Sequence, residues 1–463
     1  MNSLAKYLQA FIRIAKDAIF QDLCPKGMGI IVNIKAGILI LLFVLCLFSG
    51  IGCSKKNNDI VTDTNSEIEA ISTGQPTAAL TIPQAASPTL SPEDLPQAAT
   101  DYVTPEMYQN AVLAEGNVAR LAAAMRKAKR GEEITVGVIG GSITQGSLAS
   151  NSENCYASHF YHWWKAAFPE TKVNFINAGI GGTTSYLGVH RVDADLLSYK
   201  PDVVIVEFSV NDSNTFFYKE TYEDLVRRIL KADNSPAVLL LFTTMEDGTS
   251  AQTNDLLIGF KYDLPRISYR EMVLKGIDKG SFTWDNISPD NIHPNDKGHA
   301  MIGEVLWDYL NHIYAKLSSI AEQIEPLTIK PYFSEAYVDA TILDSSNIEP
   351  VKMGSFEKAS VNDRFKNNWR TTKGNASIIF EIEAQNIGIM FLRTVNGKSG
   401  QFDVMIDGVF SQTLNADFKG GWGNYQETTE VFRSKEKKLH KIEIKKNPDS
   451  TGDIFSVLGL LIS

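Results

Sequence analysis

The sequence predicts an α/β domain built on a parallel sheet, followed by an all-β module. Two observations carry this. Between residues 130 and 245, short β-branched runs alternate with amphipathic helical stretches, the pattern of strands joined by helical crossovers. From about residue 330 the alternation stops and period-two strands take over.

Met107 to Arg130 is predicted as a helix, because Leu113, Val118, Leu121 and Met125 recur near the helical period. Ile134 to Ile139 is a β-branched run closed by Gly140-Gly141, a buried strand entering a turn. A helix over Ala157 to Phe168 leads to a second strand, Lys172 to Asn177, and a second glycine turn, Gly179 to Gly182. Pro201-Asp202 opens a third strand, Val203 to Phe208, and a helix at Thr221 to Ala232 precedes a fourth, Ala237 to Thr243. A last helix is predicted over Ala300 to Leu317, with His299 at its start. Further on, Ser377 to Ile382, Gly388 to Leu392 and Phe402 to Ile406 read as strands, the last running into an Asp407-Gly408 hairpin turn. Leu439 to Ile444 alternates with period two. These strands predict a β-sandwich of jelly-roll type.

The chain has 463 residues, 44% hydrophobic and 21% charged, ordinary for two to three globular domains. A net charge of −10, with no extended Lys/Arg patch, argues against nucleic acid as a partner. Of the four cysteines, Cys24, Cys46, Cys53 and Cys155, only Cys155 lies in the expected folded region, and the spacing fits neither a zinc site nor a disulfide framework. Ile38 to Phe48, after Lys35, has the length of a signal-peptide core rather than of a membrane span. Ser49-Gly50-Ile51-Gly52-Cys53 follows, then polar residues. This looks like a bacterial lipoprotein signal, which implies lipidation at Cys53 and an extracytoplasmic protein anchored to the membrane. A plain signal peptide or a retained anchor is the alternative. Met28 is a second candidate start. Residues 54–100, rich in Ser, Thr, Pro, Ala and Gln, have the composition of a flexible tether. The expected plan is a signal over 1–53, the tether over 54–100, the α/β domain over 101–325 and the β-sandwich over 326–463.

Ligands of parallel α/β sheets bind at the carboxyl ends of the strands, so the turns there hold the candidates for chemistry. Ser142 follows Gly140-Gly141 in a tight turn near a helix start, where free N–H groups favour developing negative charge. Gly182, in the second glycine turn, leaves a backbone N–H unshielded. Asn211, in Ser209-Val210-Asn211-Asp212, places a side-chain amide directly after the third strand. Asp290 and His293, three residues apart, can share one site if their turn is tight. A histidine so placed takes a serine proton, and the carboxylate orients its ring.

Alone, each turn is weak. A Gly-Gly-Ser turn is usually punctuation, and an asparagine after a strand is usually a cap or turn residue. Together these blocks resemble the SGNH (GDSL-like) hydrolase family, in order, over roughly residues 132–318. The resemblance implies a flavodoxin-like three-layer α/β/α domain and a serine esterase that needs no metal or organic cofactor. Ser142 would be the nucleophile, His293 the base and Asp290 its orienting carboxylate. The Ser142 N–H, Gly182 and Asn211 would form the oxyanion hole. Where the family has Gly-Asp-Ser, this chain has Gly140-Gly141-Ser142; the replaced aspartate is not catalytic.

Other sites fit less well. The GxGxxG spacing of a dinucleotide loop is absent, and Asn177 stands where an acidic ribose ligand is expected. Thr144 replaces the last glycine of a Gly-x-Ser-x-Gly elbow. His159 and His162 lack a third metal ligand. His190 is a candidate pocket residue, though a lone histidine is usually structural. The C-terminal module is similar to the jelly-roll domain of family 2 carbohydrate esterases, which there usually precedes the catalytic domain. Trp422 and Tyr425 are candidate sugar-stacking residues, whereas Trp369 is expected in the sandwich core. The resemblances together imply removal of O-acetyl groups from polysaccharide. A lipid esterase or lysophospholipase, and a non-catalytic glycan-binding surface protein, are the alternatives.

Overall fold

The computed structural model describes residues 103–324, 327–420 and 423–463. Cys53, Met28, the signal and the tether therefore lie outside the described residues, as does Trp422.

The first elements are α1 (Pro105–Ala111), β1 (Val112–Ala114) and α2 (Ala119–Lys129). The single helix expected over 107–130 is thus two helices with a short strand between them. Gly116 explains the break. Its φ of +67° is left-handed, and a Cβ there would stand 2.3 Å from the Leu264–Pro265 backbone, so only glycine lets the chain cross at that point. Leu113 is consequently exposed, whereas Val118, Leu121 and Met125 enter the core. Helix α2 is alanine-rich and carries Arg126, Lys127 and Lys129 in its last turn, which complements the negative end of its dipole.

The parallel strands are β2 (Ile134–Gly140), β3 (Val173–Gly179), β4 (Val203–Glu207), β5 (Ala237–Phe242) and β6 (Arg266–Ser268). Their order across the sheet is β6-β5-β4-β2-β3, with β1 antiparallel on the β6 edge. Among the parallel strands this is the 2-1-3-4-5 order of flavodoxin-like folds. Helices on both faces make the three layers: α4 (Tyr156–Ala167), α5 (Ser185–Asp195), α6 (Phe216–Leu230), α7 (Gln252–Lys261), α8 (Tyr269–Asp278) and α10 (Asp296–Ala315). Buried on both sides, the strands are apolar throughout. Val136, Val138, Ile139, Val203, Val204, Ile205 and Val206 are fully enclosed, and each such side chain contributes about 1.5–3 kcal/mol. Helix α10 begins at Asp296, earlier than its pattern suggests, because the Asn295 side chain caps the Lys297 and Gly298 N–H groups. Cys155 is a buried free thiol.

The C-terminal region is all antiparallel, consistent with a β-sandwich. Its sheet runs β12-β11-β13-β10-β14-β9-β8, with β7 (Thr341–Leu343) on β14. The remaining strands are β8 (Glu357–Ala359), β9 (Asn368–Thr371), β10 (Ser377–Arg393), β11 (Gln401–Ile406), β12 (Val409–Asn415), β13 (Tyr425–Lys446) and β14 (Phe455–Ile462). The two strands expected at 377–382 and 388–392 are one long strand, β10, bent by register shifts around Asn386 and Gly388. Asp407 and Gly408 both have positive φ, 53° and 81°, and join β11 to β12 as the two-residue hairpin expected from that dipeptide. Trp369 is fully buried against Phe380 in the core.

The two regions share apolar packing. Met390, Leu458 and Leu461 of the β region join Tyr186, Leu187, Val189 and Tyr222 of the α/β region. Arg433 donates to Glu220 at 2.7 Å and to the Tyr337 hydroxyl, and Asn386 donates to the Ala336 carbonyl at 2.9 Å. The connecting segment is tied down as well. Glu223 and Asp224, fully buried on α6, accept from the N–H groups of Tyr332, Phe333 and Tyr337. Buried Arg227 pairs with Asp224 at 2.7 Å and with Glu335.

Candidate active site

The chain reverses direction across the sheet between β2 and its neighbours, and the carboxyl ends of β2, β3 and β4 open there. This is where a doubly wound fold binds ligand. Ser142 follows β2 at the start of the short helix α3 (Ser142–Gln145). As the first residue of a helix, its N–H has no partner within the helix. The turn is tightly nested. A Cβ on Gly140 would meet Thr144 Oγ1 at 2.1 Å, and one on Gly179 would meet the Gln145 nitrogen at 2.3 Å. Asn177 bridges the two turns, donating to the Thr144 carbonyl and accepting from the Gly179 N–H, both at 2.9 Å.

His293 and Asp290 sit in the loop between α9 (Trp284–Ile287) and α10. His293 Nε2 lies 2.8 Å from Ser142 Oγ, and His293 Nδ1 lies 2.8 Å from Asp290 Oδ2. The other Asp290 oxygen accepts from the N–H groups of Ile292 and His293, at 2.8 and 2.6 Å. The tight turn that three-residue spacing requires is therefore built by Asp290 itself. Burial works against ionising Asp290, but the His293 ring and these N–H groups outweigh it and hold the carboxyl below the usual range. Ser288 braces the loop: its Oγ lies 2.6 Å from the Asp290 carbonyl and 2.7 Å from the His293 carbonyl, between which its one hydrogen is shared, and it accepts from the Asp290 N–H. Ser142 is only 8% exposed.

The other two predicted residues lie on neighbouring turns. Gly182 follows β3 with φ of +68° and is exposed, and its neighbour Gly181 is within about one side-chain contact of Ser142, since a Cβ there would stand 3.7 Å from the Ser142 Cβ. Asn211 lies in a tight turn after β4, its N–H bonded to the Phe208 carbonyl. Its amide packs against Gly141, with Oδ1 only 2.1 Å from where a Cβ on Gly141 would be. In this chain the lack of a side chain at Gly141 leaves the space this amide occupies.

Several residues of the site carry no motif. Glu207, the last residue of β4, is fully buried and accepts from Thr144 Oγ1, Thr243 Oγ1 and the Ser209 N–H. It ties the helix that begins at Ser142 to the ends of β4 and β5, and burial pushes its carboxyl up. An acidic residue inside the apolar run Val203 to Phe208 was the available signal. Gln145 accepts from the Gly181 N–H. Buried Arg191 donates to the carbonyls of Ala178 and Gly140 at the ends of β3 and β2.

The other histidines have structural settings. His190 is buried against Tyr186 and Tyr337 and bonded to the Tyr186 carbonyl, so it does not line the site. Burial pushes it down to about 3. His299 stacks on Tyr156 and is pushed down to about 4. His162 pairs with Glu153 at 3.0 Å, and His159 is buried against Gly303. Tyr425 is half-buried, its ring flanked by Phe418 and Arg393.

A family model described as GDSL-like lipase/acylhydrolase matches residues 138–301. Two crystal structures of a two-domain esterase active on acetylated mannans, one of them with mannopentaose, are 34% identical to this chain. The matches cover 77% of this chain and 97% and 98% of the esterase, with TM-scores of 0.71 and 0.72. The chain belongs to the GDSL-like lipase/acylhydrolase family. It is an ester-hydrolysing enzyme of the SGNH type with a C-terminal β module. An Escherichia coli (strain K12) protein, thioesterase 1/protease 1/lysophospholipase L1, is 26% identical over 204 residues, covering 42% of this chain and 84% of that protein.

Proposed function

We propose that this SGNH enzyme removes O-acetyl groups from an acetylated polysaccharide, with a mannan-type glycan as the favoured substrate. The observation that carries the proposal is the match to the acetylmannan esterase, which extends over both the SGNH domain and the β module. Ser142 attacks the acetyl carbonyl while His293 takes its proton, and Asp290 keeps the ring in the tautomer that accepts at Nε2. The tetrahedral oxyanion is held by the Ser142 N–H, the Gly182 N–H and the Asn211 amide. His293 then protonates the leaving sugar oxygen. Water, deprotonated by the same histidine, attacks the acetyl-serine and releases acetate. The hydrogen-bond chain from Ser142 through His293 to Asp290 supports these roles.

The test is acetate release from acetylated mannan, compared with acetylated xylan, by the wild type and by Ser142→Ala. Release from mannan that the substitution abolishes is expected. Equal release by both proteins on every acetyl ester would sink the proposal. The E. coli relative's name favours one alternative, lysophospholipid hydrolysis; a preference for long acyl chains over acetyl in model esters would decide for it.

We also propose that the enzyme works outside the cytoplasmic membrane, anchored through a lipid on Cys53. The layout of Ile38 to Cys53 supports this. Cys53→Ala should then move the protein from the membrane to the soluble fraction, and unchanged fractionation would count against it.

A further inference from the structure

We infer that Gln426, in the β module, is a positioning residue for the oxyanion hole of the SGNH domain. The inference rests on the proposed roles of Ser142 and Gly182. Gln426 Nε2 donates to the Gly181 carbonyl at 2.7 Å, across 245 residues of sequence. Gly181 C=O and Gly182 N–H belong to the same peptide unit. In a trans peptide these two groups point in opposite directions. Anchoring the oxygen toward the β module therefore aims the N–H the other way, into the site. A hydrogen bond accepted by the carbonyl also polarises the unit and strengthens its N–H as a donor.

This peptide needs such an anchor. It is flanked by glycine on both sides, and Gly182 has φ of +68°, so few steric barriers oppose rotation of the peptide plane. The preceding unit is already fixed, because the Gly181 N–H donates to Gln145 Oε1, on the helix that begins with Ser142. Gln426 supplies the second point of attachment. It is itself held: only 8% exposed, at the start of β13, in register with Leu392 of β10. Side chains two and four residues along a strand share a face, and four residues on, Glu430 bonds Tyr337 and Arg433, which reaches Glu220 of α6. Gly388 of β10 seats the Tyr186 hydroxyl where a Cβ would stand 2.0 Å away. The docked sheet thus presents Gln426 to the loop at a fixed height.

Two variants of the full chain separate this role from simple adhesion between domains. Gln426→Glu keeps the shape but, when ionised, has no donor. Gln426→Met keeps the length with neither donor nor charge. Kinetics on an aryl acetate, with active sites counted by a fluorophosphonate probe, should show kcat per site lower by about 10- to 100-fold, somewhat less than loss of an oxyanion donor itself. KM should stay within about threefold, because the interaction matters in the transition state rather than in the bound substrate. The ratio of Gln426→Glu to wild-type kcat should rise as pH falls toward the glutamic acid range near 4.3, where the side chain regains a proton to donate. An adhesive role would instead lower the melting temperature and leave kcat per active site and the pH ratio unchanged. Both variants turning over within about twofold of wild type per site would overturn the inference. If Ser142→Ala in the same assay keeps full activity, the underlying assignment of the site fails instead, and the two failures are told apart.

Discussion

Gly141→Ala should cripple the enzyme, although it adds one methyl group to a residue that is not itself catalytic. The φ and ψ of Gly141, −89° and −146°, have no left-handed component, so the penalty is one of space. The new Cβ would lie 2.1 Å from Asn211 Oδ1, 2.9 Å from its Cγ and 3.3 Å from its Nδ2, where ordinary contact begins near 3.4 Å. The amide must retreat by about an ångström, a displacement that typically costs about 10²-fold in rate. No hydrogen bond to the buried Oδ1 resists the retreat, since that atom has no partner among the described residues. Loss of one oxyanion donor costs about 10²- to 10³-fold, so kcat should fall by about 10²-fold, or about 2.7 kcal/mol of transition-state stabilisation. The assay is aryl-acetate hydrolysis normalised to fluorophosphonate-labelled sites, run beside Asn211→Ala and the double variant. Two substitutions that remove the same donor should not add. Wild-type kcat in Gly141→Ala alongside a crippled Asn211→Ala would refute the reasoning, as would a double variant much worse than Asn211→Ala.

Asp290→Asn should keep the loop, since its oxygen can still accept from the Ile292 and His293 N–H groups. Its amide would face His293 Nδ1 and force the tautomer that cannot accept from Ser142, so kcat should drop by about 10⁴-fold; a loss under tenfold would argue that the carboxylate is dispensable. Burial also makes His190 an acid-sensitive point: its pKa of about 3 in the fold lies below the usual value near 6.5. Its neutral form is favoured in the fold, so the stability it contributes is present above about pH 6.5 and is lost as pH falls toward about 3. The buried acids Glu207, Asp212 and Asp255 shift upward and pull in the opposite direction, so the informative quantity is a difference. Relative to wild type, His190→Gln should gain about 2 kcal/mol in unfolding free energy between pH 7 and pH 5, measured by denaturant melts. A constant gap between the two proteins would show that His190 is protonated equally in both states.

How much was legible in the sequence followed from how local each cause is. The parallel sheet was readable because strands buried on both faces are apolar runs, and crossovers impose helical spacing between them. That Asp290 could reach His293 was readable because a three-residue spacing is a short-range arrangement. The break at Gly116 was not, because it arises from the approach of the Leu264–Pro265 backbone, distant in sequence. Gly141 marks only a departure from the family's motif in the sequence, because its close packing against Asn211 depends on a turn distant in sequence. Glu207 left a faint mark, one charge in an apolar strand. Gln426 left none: a glutamine at the head of a strand is unremarkable until the strand is docked against a loop some 245 positions earlier.

The buried carboxylates of α6 bear on how such an enzyme can evolve. Glu223 and Asp224 have their hydrogen bonds completed by the backbone of the segment that leaves the SGNH domain. A gene truncated before that segment would leave Glu223 and Asp224 only Tyr262 and Arg227 as partners, and it would uncover apolar residues such as Leu187, Val189 and Tyr222 that pack on the β region, each of which contributes up to about 1.5–3 kcal/mol while buried. Loss of the β module by deletion is therefore a step toward an unstable protein, not toward a smaller working esterase. The pair is inherited or lost together, and exchange of modules by recombination has to carry its seam along.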